Sequence, residues 1–526
     1  LEARVSPELR TQLKVDADRL AKHPVAYVDA TFSAPKSLSI AYAAFSRAAN
    51  EALAAGRYAE AAEWSQRVAD VERAVMDGAR MAVDFLQERA GYGRVGHHGK
   101  AADGTNSGRW IDSHSFIVGM FLQHDSRAGD PQLHVHCAIL NRQLCGDGQW
   151  RALDTRAIHR WRGGAAAVGE RSMEASASLS VGLRWWDRPD GNGREVVGVS
   201  QDVNDAYSSS ERALAGLAAQ WQTSWEIANG RPCPAKVRND MRIAAALQTR
   251  PKKSKTPPAA GEQDAKWGDT YAEKIGGELV GLARDIIAAG QTHTPESVSW
   301  SVPDVIERTL TRLEAKQAMW SYSDVMRAVS SELPANLGGP LDQVKDVLTE
   351  TASAVWNASI VLDDDEPTAG LPPEMLLADG RSSYESPAGR MRTSAAILAA
   401  EQALREAVTA KGGRALTAEQ ADAAIARAVT GRTLGADQLG FLRGALTSDS
   451  QIVQLVAPAG TGKSYALGAL ADAWTFSGGR VFGTATSQRA TNVLREDGLN
   501  AMNITQWLMR ASICGPLIWW CSMSRR

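Results

Sequence analysis

The sequence predicts an α+β domain, then a helical region, then part of an α/β domain wound around a phosphate-binding loop. Three observations carry this prediction. Residues 115–124 and 133–140 read as two strands of one sheet. Segments 275–289 and 341–355 repeat apolar residues every three or four positions, as amphipathic helices do. Finally, Ile452–Val456 runs into a Gly-rich turn and then a helix-forming stretch.

Taken in chain order, Val25–Ser33 is a strand, and Lys36–Phe45 opens a helix behind Pro35, where a fixed φ suits a first turn. Residues 58–90, rich in Ala, Glu and Arg, form a long helix. Ser115–His124 is apolar on both faces and reads as a central buried strand. Leu133–Leu140 follows after a connection short enough to bring it back alongside. Residues 250–268 combine Pro, Lys and Gly and read as an exposed linker. The expected division is therefore a domain over 1–250, a linker over 251–268, a helical region over 269–391, a partial phosphate-loop domain over 392–510 and an atypical tail over 511–526. An acidic Pro-containing loop is expected at 363–367.

The 526 residues carry 58 Lys and Arg against 60 Asp and Glu, with 44% hydrophobic residues. This ordinary globular balance excludes a disordered or collagen-like chain. No run approaches the roughly 20 apolar residues of a membrane span, so no membrane insertion is expected. Five scattered cysteines without paired spacing fit reduced thiols in a cytoplasmic protein. Between residues 80 and 255, 24 Lys and Arg face 18 Asp and Glu, a modest basic surplus compatible with phosphate backbones. The chain opens Leu-Glu-Ala-Arg without Met, which leads us to expect an upstream segment.

The densest chemistry lies in Phe121–Asn141. His134 and His136 are two apart, so on a strand they share a face, while Leu133, Val135, Cys137 and Ile139 share the other. His124 ends the preceding strand, so three imidazoles are expected to meet. Three such ligands leave coordination positions open for a substrate, and they suit Zn, Mn or Ni better than Mg. A satisfied core histidine is the ordinary alternative for any one of them, but only nine histidines occur in the chain.

Here the residues resemble a family. His124, Asp130-Pro131-Gln132-Leu133, His134 and His136 are similar to the metal motif of MobF-type conjugative relaxases, the TrwC/TraI family. Asp29–Ile40 (DATFSAPKSLSI) resembles that family's signature, and Trp150–Thr155 (WRALDT) resembles the turn after the metal motif. The resemblance implies an enzyme that folds single-stranded origin-of-transfer DNA across a sheet. A three-histidine metal there grips the scissile phosphate, and a tyrosine attacks it to leave a 5′-phosphotyrosine and a free 3′-hydroxyl. It implies His124, His134 and His136 as metal ligands and Asp29 as the group that orients or deprotonates the tyrosine. Lys36 and Arg94 are its candidate DNA contacts, and conjugation accessory and coupling proteins its candidate partners. The family's tyrosines precede the Asp29 signature by more than the 28 residues found here, so the nucleophile is expected outside this sequence. Tyr27 is the nearest substitute.

Residues 457–464 (APAGTGKS) have phosphate-loop spacing: Gly460, Thr461 and Gly462 would cradle phosphate, Lys463 would reach the β- and γ-phosphates, and Ser464 would hold Mg²⁺. Thr433–Gln438 looks like a superfamily I helicase Q-motif, with Gln438 on adenine, and 483–490 resembles motif Ia. ATP with Mg²⁺ is thus an expected but weak cofactor, because no strand ending in Asp-Glu follows. Residues 511–526 fit no helicase element and read as frame-disrupted. Two other readings are a DNA-binding remnant without a nucleophile and a three-histidine hydrolase of small molecules.

Overall fold

The computed structural model describes residues 25–96, 108–229, 233–251, 261–292, 300–337, 339–362, 368, 370–386, 389–458, 461–485, 491–492, 494–495, 499–504, 507 and 518–523. The chain divides into two compact units at the junctions 215/216, 244/245 and 395/396. The expected acidic loop at 363–367 lies outside the described residues.

The first unit is built on a three-stranded antiparallel sheet. It contains β1 (Tyr27–Ser33), helices α1 (Lys36–Ala54) and α2 (Tyr58–Ala90), and the short pair β2 (Tyr92–Val95) and β3 (Arg109–Asp112). Strands β4 (Val118–Asp125) and β5 (Pro131–Leu140) follow, and the sheet order is β1-β5-β4. Strand β5 alternates strictly: Leu133, Val135, Cys137 and Ile139 are 0–1% exposed, and their neighbours face the other way. Helices α1 and α2 pack on that apolar face. The expectation for 115–124 is corrected here. Strand β4 is an edge strand with Phe121 and Gln123 exposed, because an apolar composition cannot tell a central strand from an edge that keeps one face open.

Two short strands, β6 (Gln143–Leu144) and β7 (Trp150–Arg151), lead to the long helix α3 (Thr155–Val181). Asp154 caps its start by accepting from the Arg156 N–H, and Gly182, at φ 82°, ends it in the left-handed conformation that suits glycine. Helices α2 and α3 cross at Gly78 and Gly169. A Cβ on Gly78 would meet the Gly169 carbonyl at 2.7 Å, and one on Gly169 would meet the Phe32 ring of β1 at the same distance. Only glycine at both positions lets these helices meet and still seat the ring of β1.

After β8 (Trp185–Asp187), β9 (Arg194–Val196), α4 (Gln201–Ala206), α5 (Ser209–Asn229) and α6 (Ala235–Thr249) comes α7 (Glu262–Lys274). It begins inside the stretch expected to be a linker. Trp267 and Tyr271, one turn apart, are buried, and Trp267 Nε1 donates to the Gly129 carbonyl at 2.9 Å. The Pro and Lys content ends at Pro258, and the buried aromatic pair lies in the helix that resumes at Glu262.

Helices α8 (Leu279–Thr292), α9 (Val302–Lys316), α10 (Tyr322–Glu332) and α11 (Leu341–Ala358) belong to the same unit. Arg171 of α3 fastens α10: its guanidinium donates to the carbonyls of Ser330 and Leu333 at the helix end and to that of Pro334 beyond it. Glu174 sits between Arg171 and Arg194, with its Oε2 3.5 and 2.8 Å from them, and all three are buried. A buried charge needs such partners to be tolerated. Strands β10 (Ile360–Val361) and β11 (Arg392–Thr393) close the unit.

The second unit takes most of α5 and α6, over 216–244, together with α12 (Ala395–Thr409), α13 (Ala418–Ala428), α14 (Ala436–Thr447) and α15 (Lys463–Phe476). Ala424, Leu442, Leu446, Leu470 and Trp474 form its core. Strand β12 (Arg480–Ala485) pairs in parallel with β13 (Ala501–Asn503) and β14 (Ile518–Met523). Two expectations change. Ile452–Val456 has no strand pairing, and Val456 is 82% exposed. Within the tail read as fitting no helicase element, Ile518–Met523 forms β14, whose IWWCSM sequence has the bulky residues that a strand favours.

Candidate active site on the open sheet face

The face of the sheet opposite α1 and α2 is open among the described residues, with Tyr27 54% and Phe121 59% exposed. Register sets its rows. His136 stands between Thr31 and Phe121, His134 between Ser33 and Gln123, and Ala138 between Asp29 and Gly119. The last row is nearly free of side-chain bulk on two strands, leaving a shallow place beside Asp29 and His136.

His136 donates from Nδ1 to the Asp29 carboxylate, at 2.9 and 3.0 Å from its two oxygens. The Thr31 hydroxyl is 3.4 Å from the same nitrogen. His134 donates from Nδ1 to the Gln132 carbonyl at 2.9 Å, and the two rings lie 5.2 Å apart. Each contact fixes a ring and its tautomer, leaving Nε2 with a lone pair. Two neighbouring imidazoles prepared in this way fit a divalent ion.

The third histidine is elsewhere. His124 donates from Nε2 to Glu72 at 2.8 Å and stacks on Tyr42 at 5.2 Å; both partners come from the helices of the covered face. Among the described residues, no three His, Cys, Asp or Glu side chains are gathered closely enough to hold an ion. In this structure the expected three imidazoles stand as a pair beside Asp29, with His124 apart. The β4–β5 pairing is irregular between Gln123 and Asp125, where period-two reasoning cannot aim His124. Glu72 is held below the usual carboxylate range, chiefly by the hydrogen bond from His124, while burial and the nearby Glu72 carboxylate raise the Tyr42 hydroxyl. Neither residue was foreseen from the sequence, since nothing in helix spacing ties 42 or 72 to 124.

Lys36 turns inward. Its ammonium donates to the Pro131 carbonyl at 2.9 Å, and burial lowers its pKa despite Asp130 and Glu195 nearby. Arg94 lies on β2, part of a separate two-stranded sheet, opposite Trp110.

In the second unit the structure brings Gln438 to the phosphate-loop segment. Its Nε2 donates to the Thr461 carbonyl at 3.1 Å, and its Oε1 accepts from the Gly435 N–H at 2.9 Å. Gly462 adopts φ 77°, and Lys463 and Ser464 open α15 from it. Lys463 Nζ donates to the carbonyls of Ala457 and Pro458, at 2.7 and 2.5 Å. Gly460 lies outside the described residues, as do 486–490 of the motif Ia resemblance.

The TrwC relaxase family model matches residues 3–274, and an AAA domain model matches residues 433–524. Nothing among curated proteins matches the chain. Similar solved structures include conjugative relaxase TrwC with origin-of-transfer DNA in a copper-bound form, at 26% identity over 48% of this chain and 72% of that one, with a TM-score of 0.35. Another is TrwC with a 27-mer DNA comprising the recognition hairpin and the cleavage site, at 26% identity over 48% and 75%, with a TM-score of 0.34. No described helix is long and apolar enough to cross a membrane. With more than half its length matched by that model and its three sequence motifs carried on β1, on β4 and β5, and on the approach to α3, the chain belongs to the TrwC relaxase family, with an AAA domain after the relaxase domain.

Proposed function

We propose that the open sheet face holds single-stranded origin-of-transfer DNA for nicking by tyrosine transesterification, as plasmid mobilisation requires. The observation that carries this reading is the pair His134 and His136, on an uncovered face, with Asp29 fixing the imidazole of His136. A divalent ion held by these imidazoles, with His124 as third donor once it leaves Glu72, would supply Lewis-acid charge to the scissile phosphate. Asp29 and the Gln132 carbonyl orient the rings, and Ala138 and Gly119 leave room for a sugar-phosphate chain. Phe121 and Tyr27 offer exposed rings to bases. The tyrosine that the family resemblance puts ahead of Asp29 would form the O–P bond while the P–O3′ bond breaks. Asp29 is the carboxylate placed to orient that hydroxyl or take its proton.

In the AAA domain we propose a weak nucleotide site with phosphate at Thr461, Gly462, Lys463 and Ser464 and adenine near Gln438. Lys463 must release two loop carbonyls before it can meet a phosphate. Accessory and coupling proteins of conjugation are the partners this role implies, in the cytoplasm. The open face argues against a small-molecule hydrolase, which needs an enclosed site.

The hold of Glu72 on His124 favours one second reading, a protein that binds DNA without cutting it. A randomised single-stranded DNA pool incubated with Mn²⁺ and the chain extended upstream to the tyrosine expected ahead of Asp29 separates the two. Detergent-stable protein–DNA adducts that disappear in His136→Ala support nicking. Retention of DNA with no adduct under any metal supports binding alone.

A further inference from the structure

A cavity of about 540 Å³ lies within the first unit, apart from the histidine face. Its walls come from two sources: Arg89, Arg160 and Trp161 of the relaxase-family segment, and Tyr322, Trp356 and Arg381 from beyond residue 274. One of the helices that complete it, α10, is fastened to α3 by Arg171.

Three half-buried rings form a connected cluster there. Tyr322 lies 5.9 Å from Trp161 and 5.5 Å from Trp356, and its hydroxyl is anchored by the Thr349 carbonyl at 3.1 Å and the Ser353 hydroxyl at 2.8 Å. The Trp161 indole N–H is buried and donates to no protein atom. The carboxylates of the rim are each matched: Glu88 by Lys345 at 2.7 Å and Asp379 by Arg381 at 2.7 Å. Arg89, by contrast, is exposed and lies 5.8 Å from the Trp161 ring and 5.6 Å from the Tyr322 ring, with no carboxylate partner among the described residues. Fixed aromatic surface beside an uncompensated guanidinium is what a base joined to a phosphate asks of a protein. The volume is also of the size that encloses a small ligand.

We propose that this cavity binds one nucleotide unit, its base against the Trp161–Tyr322–Trp356 cluster and its phosphate at Arg89. The unit is either part of a DNA strand or a free mononucleotide. The inference does not depend on nicking chemistry.

Photocrosslinking of the full chain tests it, with 8-azido-AMP as the free nucleotide and an oligodeoxythymidylate containing 5-bromodeoxyuridine as the strand. Adducts are mapped by peptide mass spectrometry. Adducts on peptides bearing Trp161, Tyr322 or Trp356 are expected with at least one probe, and the probe that gives them identifies the source. Arg89→Glu, a change at an exposed position, should cut their yield by about tenfold while leaving the melting temperature unchanged. Trp356→Leu should lower it as well. Cavity peptides unlabelled by both probes, or labelled equally in Arg89→Glu, overturn the proposal. Labelling near Phe121 reports the sheet face separately, so strand adducts there without cavity adducts would overturn this inference and leave the DNA-binding reading standing.

Discussion

The chain carries two sites that we propose meet phosphate, and they are prepared in opposite ways. On β5 the groups that would act stand on a central strand, and their Nδ1 atoms are already engaged by Asp29 and by the Gln132 carbonyl. At the loop before α15 the reactive group is spent on its own neighbourhood: Lys463 holds two carbonyls of the segment it should leave open to a nucleotide. A strand with one face buried cannot slip without exposing Leu133 and Val135, so its site exists before any ligand arrives. The loop has no such constraint. The difference teaches that rigidity here comes from the sheet's buried face rather than from the site residues themselves.

The largest predicted effect would break the comparison by removing the scaffold. Gly78→Leu forces a side chain into Gly169 and Met173 and should cost about 4 kcal/mol or more, enough to unfold the first unit. Hydrogen exchange should then show the β5 amides unprotected while α13 to α15 keep their protection. Retained β5 protection would mean that the glycine contact is not needed.

Next in size, Asp29→Asn keeps shape but weakens the acceptor for His136. Metal affinity should fall by about 10- to 100-fold with the fold unchanged, as calorimetric titration with Mn²⁺ would read. Lys463→Met sharpens the other side. It should abolish binding of a fluorescent ATP analogue and leave metal binding at the sheet untouched, whereas loss of both would couple sites that we treat as separate.

The smallest effect concerns pH. Burial lowers the pKa of Lys36, so the folded chain binds fewer protons there than the unfolded chain between the depressed value and the ordinary value of about 10.4. Stability should rise with pH through that window relative to Lys36→Met, and be parallel to it below. Urea melts at stepped pH would show the divergence.

How far the sequence could be read follows the same division. The alternation of Leu133 to Leu140 announced a half-buried strand and put His134 and His136 on one face, and Pro35 marked the start of α1. The place of His124 was not legible, because a pairing irregularity and a carboxylate from α2 decide it, and neither has a local signature. The order of β4 at the edge is a tertiary outcome that composition does not encode. Nor could helix periodicity in 322–332 announce that Arg171 fastens α10 to α3, since a buried arginine in a helix looks in sequence like any solvated one.

The central claim is that the two imidazoles of β5, fixed by Asp29 and Gln132, form the metal-holding half of the site. Titration of the full chain with Co²⁺, followed by visible ligand-field absorption, tests it most directly. One bound ion per chain is expected, absent in the His134→Ala, His136→Ala double variant and weakened in His124→Ala. The same spectrum and affinity in the double variant would place the metal elsewhere than on β5.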